Sequence, residues 1–390
     1  MFHKIKRLIK KAVVGCLWLL TKNKVKGNKI FFVSYYGTQM SDNPMAIYQG
    51  LLKNSDKYSF VWAYNRWREL DKKEYPNTKF IKYSGRLNLR LYYHLFTSKI
   101  IINNSRFGLD IRKKENQYYI QTWHASMGLK KIEKDVANQL SEGYCKMAEL
   151  DSKYTDLLLA GCRFKKEAYK RNFWYDGEIT EFGTPRNDIF FADNKEAISK
   201  KVKADLNIPI ASKIFLYAPT FRKANTDYID AFDENRLQQV LGDDWKIVVR
   251  LHPNELLKKN SVLKNRNVID ATKYNDLQGL LIATDLFATD YSSTMFDFFI
   301  QKKPCFLFCP DFEDYVGKER DLNFTFDELP FDLSRSMEEL LFNIRDFDEV
   351  KYLERLDEFN QLIGSYETGQ ATECMVKIIN ALIEGKGYVK

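Results

Sequence analysis

The feature that most restricts the fold is a double series of short apolar runs, each followed by a stretch with helical spacing. The first series reads as strands at 30–34, 59–63, 99–103, 117–122, 156–160 and 178–182. The second reads as strands at 213–218, 245–250, 267–270, 284–288 and 304–308. Helical stretches fall between them, among others at 44–53, 86–97, 163–172, 292–301 and 336–345. Alternation of this kind predicts parallel sheets covered by helices. Two series in 390 residues predict two doubly wound domains. The break is expected after "GTPRND", where the sequence turns polar. The expected division is 1–27, a basic amphipathic helix; 28–190 and 191–370, two Rossmann-like domains; and 371–390, a C-terminal helix and tail. The C-terminal helical stretch at 349–386 can pack back on the first domain, a placement the sequence leaves open. Apolar residues make up 45% and charged residues 29%, which excludes a disordered chain.

The charge is concentrated. Lysine and arginine number 61 against 52 acidic residues, a net charge of +9. Nine basic residues lie in positions 1–29, with no acidic one, so the remainder of the chain is neutral. A nucleic-acid-binding domain spreads basic charge over a folded surface, so this class is disfavoured. A basic arm ahead of a neutral body suits an anionic membrane surface. The arm's uninterrupted apolar run, Ala12 to Leu20, is nine residues long, and spanning a bilayer takes about 20. No small-residue cleavage site follows it, only Lys22, Lys24 and Lys26. Phe2, Ile5, Leu8, Ile9, Ala12, Val13, Cys16, Leu17 and Leu20 recur at helical spacing between lysines. The expectation is a peripheral helix lying in the headgroup region on the cytoplasmic face; the plainer reading is a solvated or core-packed helix with a basic face. Six cysteines without a CxxC pair suit a reducing compartment, and no metal-ligand spacing is present.

In doubly wound sheets ligands bind beyond the carboxyl ends of the strands. The residues that follow the strands therefore matter most, and polar and basic groups collect there. "QTWHASMG" places His124 after 117–122, one of only four histidines. A histidine near its ordinary pKa is a natural general base for an alcohol, although a structural histidine stacked on Trp123 fits equally well. After 178–182 come Arg186, Asn187 and Asp188; after 213–218, Thr220 and Arg222; after 245–250, Arg250 and His252 in "RLHPN". Arg250 and His252 alternate, so they share a face. An arginine fork suits phosphate oxygens. In "ATDYSSTMFDFF", Asp290, Ser292 and Ser293 precede a helix whose N-terminus can hold an anion, or is simply capped; Asp297 lies within that helix, placed to reach a ribose hydroxyl or to orient the loop.

Taken together, the stretches "SDNPMAIYQGLL", "QTWHASMGLKKI", "YDGEITEFGTPRNDI", "LYAPTFR", "VVRLHPN" and "TDYSSTMFDFFIQKKPCFLF" resemble, in order, those of the CDP-glycerol glycerophosphotransferase family, the wall teichoic acid primases and polymerases. The resemblance covers roughly residues 30–370. It implies a GT-B fold, with an acceptor domain and a nucleotide-donor domain facing a cleft. It implies transfer of glycerol phosphate from CDP-glycerol to a lipid-linked polyprenyl saccharide or polymer acceptor, with release of CMP. His124 is then the base, His252 the second catalytic histidine on the donor phosphates, and Ser292 and Ser293 the donor pyrophosphate region. Family members commonly read Trp-His-Gly-Thr-Pro where this chain has Trp123-His124-Ala125-Ser126-Met127, which bears on the acceptor and the polyol.

Transfer of this type is expected to need no protein-held cofactor, with room for Mg²⁺ on the donor pyrophosphate. Arg222, Arg250, His252, Asp290, Ser292, Ser293 and Asp297 are expected to serve the donor, and Thr220, Arg186, Asn187 and Asp188 are additional candidates. Three readings stay open beside this one. The first is a CDP-ribitol-dependent transferase of wall or capsule polymers. The second is a GT-B nucleotide-sugar glycosyltransferase, since fold alone does not choose the donor. The third is a non-catalytic membrane-surface protein.

Overall fold

The computed structural model describes residues 2–84, 87–109, 111–222, 227–251, 268–318 and 321–386. The chain forms two compact units. The first comprises 1–124, 132–188 and 366–390; the second comprises 125–131 and 189–365.

In the first unit, seven parallel strands are β1 (Lys26–Val33), β2 (Ser59–Ala63), β3 (Thr78–Ile81), β4 (Ser98–Asn103), β5 (Tyr118–Gln121), β6 (Leu157–Leu158) and β7 (Glu178–Ile179). Their order across the sheet is β3-β2-β1-β4-β5-β6-β7. The central strands read as continuous apolar runs because helices cover both faces. On one face Phe32, Tyr48 and Trp62 pack with Met375 and Ile379 of the C-terminal helix Ala371–Ile383. Phe32 and Trp62 stack at 5.1 Å. Burial of each such ring contributes about 1.5–3 kcal/mol. On the other face Phe31 and Val61 pack with Leu91 and Leu95 of a helix over Leu89–Thr97 (α3) and with Val14 of a helix over Phe2–Leu20 (α1). A third helix, Asp42–Leu52 (α2), follows β1. The C-terminal helix thus completes the first unit. Its first turn is held by Asp188, which accepts from the amides of Ala371 (3.0 Å) and Thr372 (2.6 Å).

The second unit holds six parallel strands: β8 (Lys213–Tyr217), β9 (Trp245–Val249), β10 (Val268–Asp270), β11 (Leu286–Thr289), β12 (Cys305–Phe308) and β13 (Asp332–Ser334). Their order is β10-β9-β8-β11-β12-β13. Both sheets reverse their winding direction once, between β1 and β4 and between β8 and β11. Those switch points are where an open α/β sheet leaves a crevice beyond its strand ends.

Two edge strands, β3 and β13, were not expected from the sequence. "TKFI" and "DLS" are too short and too polar to stand out. The helix expected at 292–301 is shorter, Thr294–Phe298, and continues as a 3₁₀ turn to Gln301.

α1 is docked on the first unit. Val14 is fully buried, and the Trp18 indole donates to the Arg112 carbonyl at 2.7 Å. The opposite side leaves Ile5, Leu8, Ile9, Leu19 and Leu20 exposed, with Ala12 and Cys16 between them. Among the described residues, no helix is long and apolar enough to cross a membrane.

Candidate functional site

At the switch point of the first sheet, the segments after β1, β4, β5 and β7 converge on His124. The His124 ring stacks on Trp123, with centroids 4.5 Å apart, and lies 5.7 Å from the Tyr35 ring. Its Nδ1 is 2.7 Å from the backbone carbonyl of Asn104. A carbonyl only accepts, so Nδ1 carries the proton and Nε2 holds the lone pair. Nε2 makes no hydrogen bond with a described residue. Burial lowers the proton affinity of the ring, and the Asn104 carbonyl and the Asp42 carboxylate pull the other way; the balance lies below the ordinary histidine value. The imidazole is therefore neutral at pH 7, as a base requires.

Asp42 opens α2. Its carboxylate accepts from Arg186 Nη1 at 2.9 Å and from the Tyr35 hydroxyl. Burial pushes this carboxyl up, but Arg186, the Tyr35 hydroxyl and the Asn43 amide outweigh it and hold the group below its usual range. Asn43, also buried, donates from Nδ2 to the Trp123 carbonyl at 3.3 Å and accepts from the Arg186 amide at 3.0 Å. One helix start thus fixes the loops after β5 and β7. Gly183 lets the second loop turn: it has φ +88°, and a Cβ there would lie 2.8 Å from Glu367 Oε2. The same Glu367 accepts from the Thr184 hydroxyl (2.7 Å) and Asn187 Nδ2 (3.3 Å).

Beneath Trp123 lies a buried ion cluster. Arg106 pairs with Glu133 at 2.8 Å and Asp151 at 3.1 Å, and its guanidinium lies 3.7 Å from the centre of the Phe173 ring. Phe173 meets Trp123 edge-on at 4.9 Å. Tyr35, Tyr36, Asp42, Trp123 and Glu133 all have positive φ, between +44° and +66°. None is glycine, and left-handed backbone costs such residues about 1–3 kcal/mol each. Strain of this kind persists where surrounding contacts over-determine it, and here three of the five, Tyr35, Asp42 and Trp123, adjoin His124.

The second unit carries a different arrangement at its own switch point. Asp290 accepts from the Thr220 amide (2.8 Å), the Tyr291 amide (2.6 Å) and Arg222 Nη2 (2.8 Å). Arg222 also binds Asp311 through Nε at 2.7 Å, among the rings of Tyr228, Tyr291 and Tyr315. Arg222 and Asp290, both expected to serve the donor, pair with each other here, and Arg222 pairs with Asp311 as well. One guanidinium thus faces two carboxylates in the interior, and Asp290 holds the Thr220 loop by its backbone amide. Thr220 itself has a buried hydroxyl without a hydrogen-bond partner. Ser292 Oγ accepts from the Thr294 amide at 3.3 Å, so Ser292, not Ser293, supports the helix start. Asp297 accepts from the Ser126 hydroxyl at 2.7 Å, and so positions a loop rather than presenting a bare carboxylate. Arg250 Nη1 donates to the carbonyls of Ala271 (3.0 Å) and Tyr274. His252 lies outside the described residues. Arg186 stands in the His124 site, while Asn187 and Asp188 serve as loop and helix anchors. Among the described residues, no three His, Cys, Asp or Glu side chains are grouped to hold a metal ion.

Asp42, Asn104, Arg106, Glu133 and Asp151 were not singled out in the sequence. "SDNP" stood among the notable stretches, but only the meeting of loops gives Asp42 its task.

Two parallel sheets, each with polar groups gathered at its carboxyl ends, define a two-unit α/β protein. The chain belongs to the family described as CDP-Glycerol:Poly(glycerophosphate) glycerophosphotransferase, whose pattern matches residues 17–381. It is 30% identical, over 97% of its length, to the teichoic acid poly(glycerol phosphate) polymerase of Bacillus subtilis strain 168, of which it covers 52%. It thus spans about half the length of that relative, and likewise 51% of the Staphylococcus epidermidis polymerase. With the Staphylococcus aureus teichoic acid glycerol-phosphate transferase it shares 28% identity over 96% of this chain and 98% of the relative. The solved structure of the wall teichoic acid polymerase TagF superposes with a TM-score of 0.85 at 27% identity, covering 99% of this chain and 98% of that one. A histidine-to-asparagine variant of TagF has also been solved after soaking with CDPG.

Proposed function

We propose that the protein transfers glycerol phosphate from CDP-glycerol to a hydroxyl of a lipid-linked teichoic acid or related acceptor, releasing CMP. The observation that carries the reading is the fixed tautomer of His124. A neutral imidazole with Nδ1 tied to a backbone carbonyl offers Nε2 as a base. In this reading Nε2 takes the proton of the acceptor hydroxyl. The hydroxyl oxygen attacks the β-phosphorus in line, and the bond from that phosphorus to the bridging oxygen breaks. CMP leaves with the electron pair. Phosphoryl transfer asks for positioning and charge stabilisation rather than covalent chemistry from the protein.

In this reading the second unit serves the donor. The Thr220 hydroxyl, Ser292, Ser293 and Arg250 are its candidate contacts, His252 is their partner in "RLHPN", and Asp290 and Arg222 hold the loop. Any Mg²⁺ would ride on the pyrophosphate. The two units are read as the acceptor and donor domains of a GT-B enzyme. The exposed stripe of α1, with the basic residues around it, supports peripheral attachment to the cytoplasmic face of the membrane that holds the acceptor.

The test is CMP release by purified protein with a lipid-linked acceptor, for wild type and His124→Ala, with CDP-glycerol, CDP-ribitol and a UDP-sugar as donors. Release from CDP-glycerol that collapses in the variant is the expected result. Turnover of CDP-ribitol or the UDP-sugar alone would move the reading to that donor. Full activity of His124→Ala would remove the base.

A further inference from the structure

The amino end of the first sheet carries a second polar cavity, of about 760 Å³, that the transfer reaction does not use. It opens where β1, β2 and β3 begin. The register places Lys29 beside Ser59, and Val61 beside Lys79. All four lie on the face that α3 covers, and α3 adds Tyr93 and His94. Lys26 and Lys72 also line it. Five basic side chains thus share one cavity, and no aspartate or glutamate is among its described lining residues. None of the five forms an ion pair with a described residue.

Isolated lysines on a surface would carry no argument, but two of these groups are interior. Lys29 is 3% exposed and His94 is 8% exposed. The Lys29 ammonium donates to the Thr97 hydroxyl at 2.6 Å and lies 5.4 Å above the Tyr93 ring. His94 Nδ1 is buried without any hydrogen-bond partner. A buried polar atom with no partner costs about 1–3 kcal/mol, and like charges gathered in low dielectric repel. Burial, Lys26 and Lys79 together hold the Lys29 ammonium down to about 7. Burial, with Lys29 and Lys79 next, holds His94 down to about 3. An anion in the cavity would offset the mutual repulsion of the lysines.

We propose that this cavity is a phosphodiester site for the headgroup of an anionic membrane lipid, adjoining the exposed apolar stripe of α1. The occupant follows from position. α1 ends at Leu20, whose exposed side chain stands six residues before Lys26. α1 packs on α3, the helix that supplies Tyr93 and His94. Trp67 lies under the Lys72 ammonium at 5.0 Å, an amphipathic ring of the type that sits at headgroup level. The volume suits a glycerophosphate headgroup. The inference rests on the peripheral reading of α1, but not on the reaction proposed for His124.

The experiment is co-sedimentation with vesicles of phosphatidylglycerol and phosphatidylcholine in equal parts, and with phosphatidylcholine alone. Lys72→Gln/Lys79→Gln removes two exposed cations, and unchanged Tm certifies its fold. A control, Lys200→Gln/Lys201→Gln, removes two exposed cations from the second unit. The cavity variant is expected to bind anionic vesicles about 30-fold more weakly, at roughly fivefold per cation. The control should change by less than about threefold, since distant charges are screened. Equal losses in the two variants would reduce the cavity to diffuse surface charge and overturn the proposal, as would wild-type binding by the cavity variant. Soluble glycerol 3-phosphate that raises the Tm of wild type but not of the variant, with vesicle binding unchanged, would overturn the lipid assignment in favour of a free phosphate ester. CMP release with a water-soluble acceptor should be equal in all three proteins, which separates this outcome from the fate of His124.

Discussion

The two ends of the first sheet each hold a histidine with lowered proton affinity, and the causes differ. At the carboxyl end, burial of His124 is opposed by a carbonyl and a carboxylate. Charges of both signs interlock there, and five non-glycine residues adopt left-handed backbone. At the amino end, burial of His94 is reinforced by Lys29, Lys79, Arg90 and Lys26. Among the described residues, no opposite charge lines that cavity. The first end is self-satisfied and aimed, as suits the base proposed for the transfer. The second is strained by its own charge, as suits a group that waits for an anion.

The sharpest way to break this contrast is to remove each histidine in turn. General base catalysis contributes about 10²–10⁴-fold. His124→Ala should lower turnover by that factor and leave the Kd for CDP-glycerol unchanged by equilibrium binding. His94→Ala should change turnover with a soluble acceptor by less than about twofold. Next in size is the buried cluster that supports Trp123. Arg106→Leu would leave Glu133 and Asp151 without their cation in the interior. Loss of one partner of a buried pair costs about 3–5 kcal/mol, which chemical denaturation would read directly. No comparable loss is expected for Lys72→Gln, since Lys72 forms no ion pair with a described residue.

This contrast also marks what the sequence could and could not reveal. The parallel strands were legible because buried central strands are written as unbroken apolar runs. His124 was legible because a lone histidine at a strand end breaks such a run. Arg222 was legible for the same reason, but its partners were not. An arginine beyond a strand reads as a phosphate ligand, yet Asp290 and Asp311 claim it from 68 and 89 residues away. Asn104 acts through its backbone carbonyl, which no side-chain pattern reports. Asp42 matters only because α2 begins where two other loops arrive. The lysine cavity was invisible because Lys26 and Lys29 count with the basic arm, while Lys72 and Lys79 sit in an unremarkable stretch that includes the short strand β3.

A finer test separates the carboxylate's effect on His124 from its structural task. Asp42 has φ +66°, and asparagine tolerates left-handed backbone well. Asp42→Asn can therefore keep the loop while removing the charge. The carboxylate raises the proton affinity of His124. Its loss should move the acid limb of the kcat/KM profile to lower pH. An unmoved limb would mean that the group titrating in that profile is not His124.

The smallest effect concerns stability at the amino end, and its direction is fixed by linkage. The Lys29 ammonium has an ordinary value of 10.5 and is held at about 7 in the fold. Between those values the unfolded chain keeps a proton that the folded chain has released. Wild-type stability therefore rises with pH across that window, and below about pH 7 the folded state carries the full cost of the buried charge. Lys29→Met keeps the aliphatic length and removes the charge. Thr97 does not lose its own role, because its hydroxyl still donates to the Tyr93 carbonyl at 2.7 Å. The Tm of the variant should exceed that of wild type most at pH 6, and the gap should close toward pH 10. Groups that titrate alike in both proteins cancel in this difference. Anionic vesicles should shrink the gap at pH 6, since a bound phosphodiester turns the same charge from a cost into a contact. A gap that is independent of both pH and lipid would show that Lys29 acts at that end only through its methylenes.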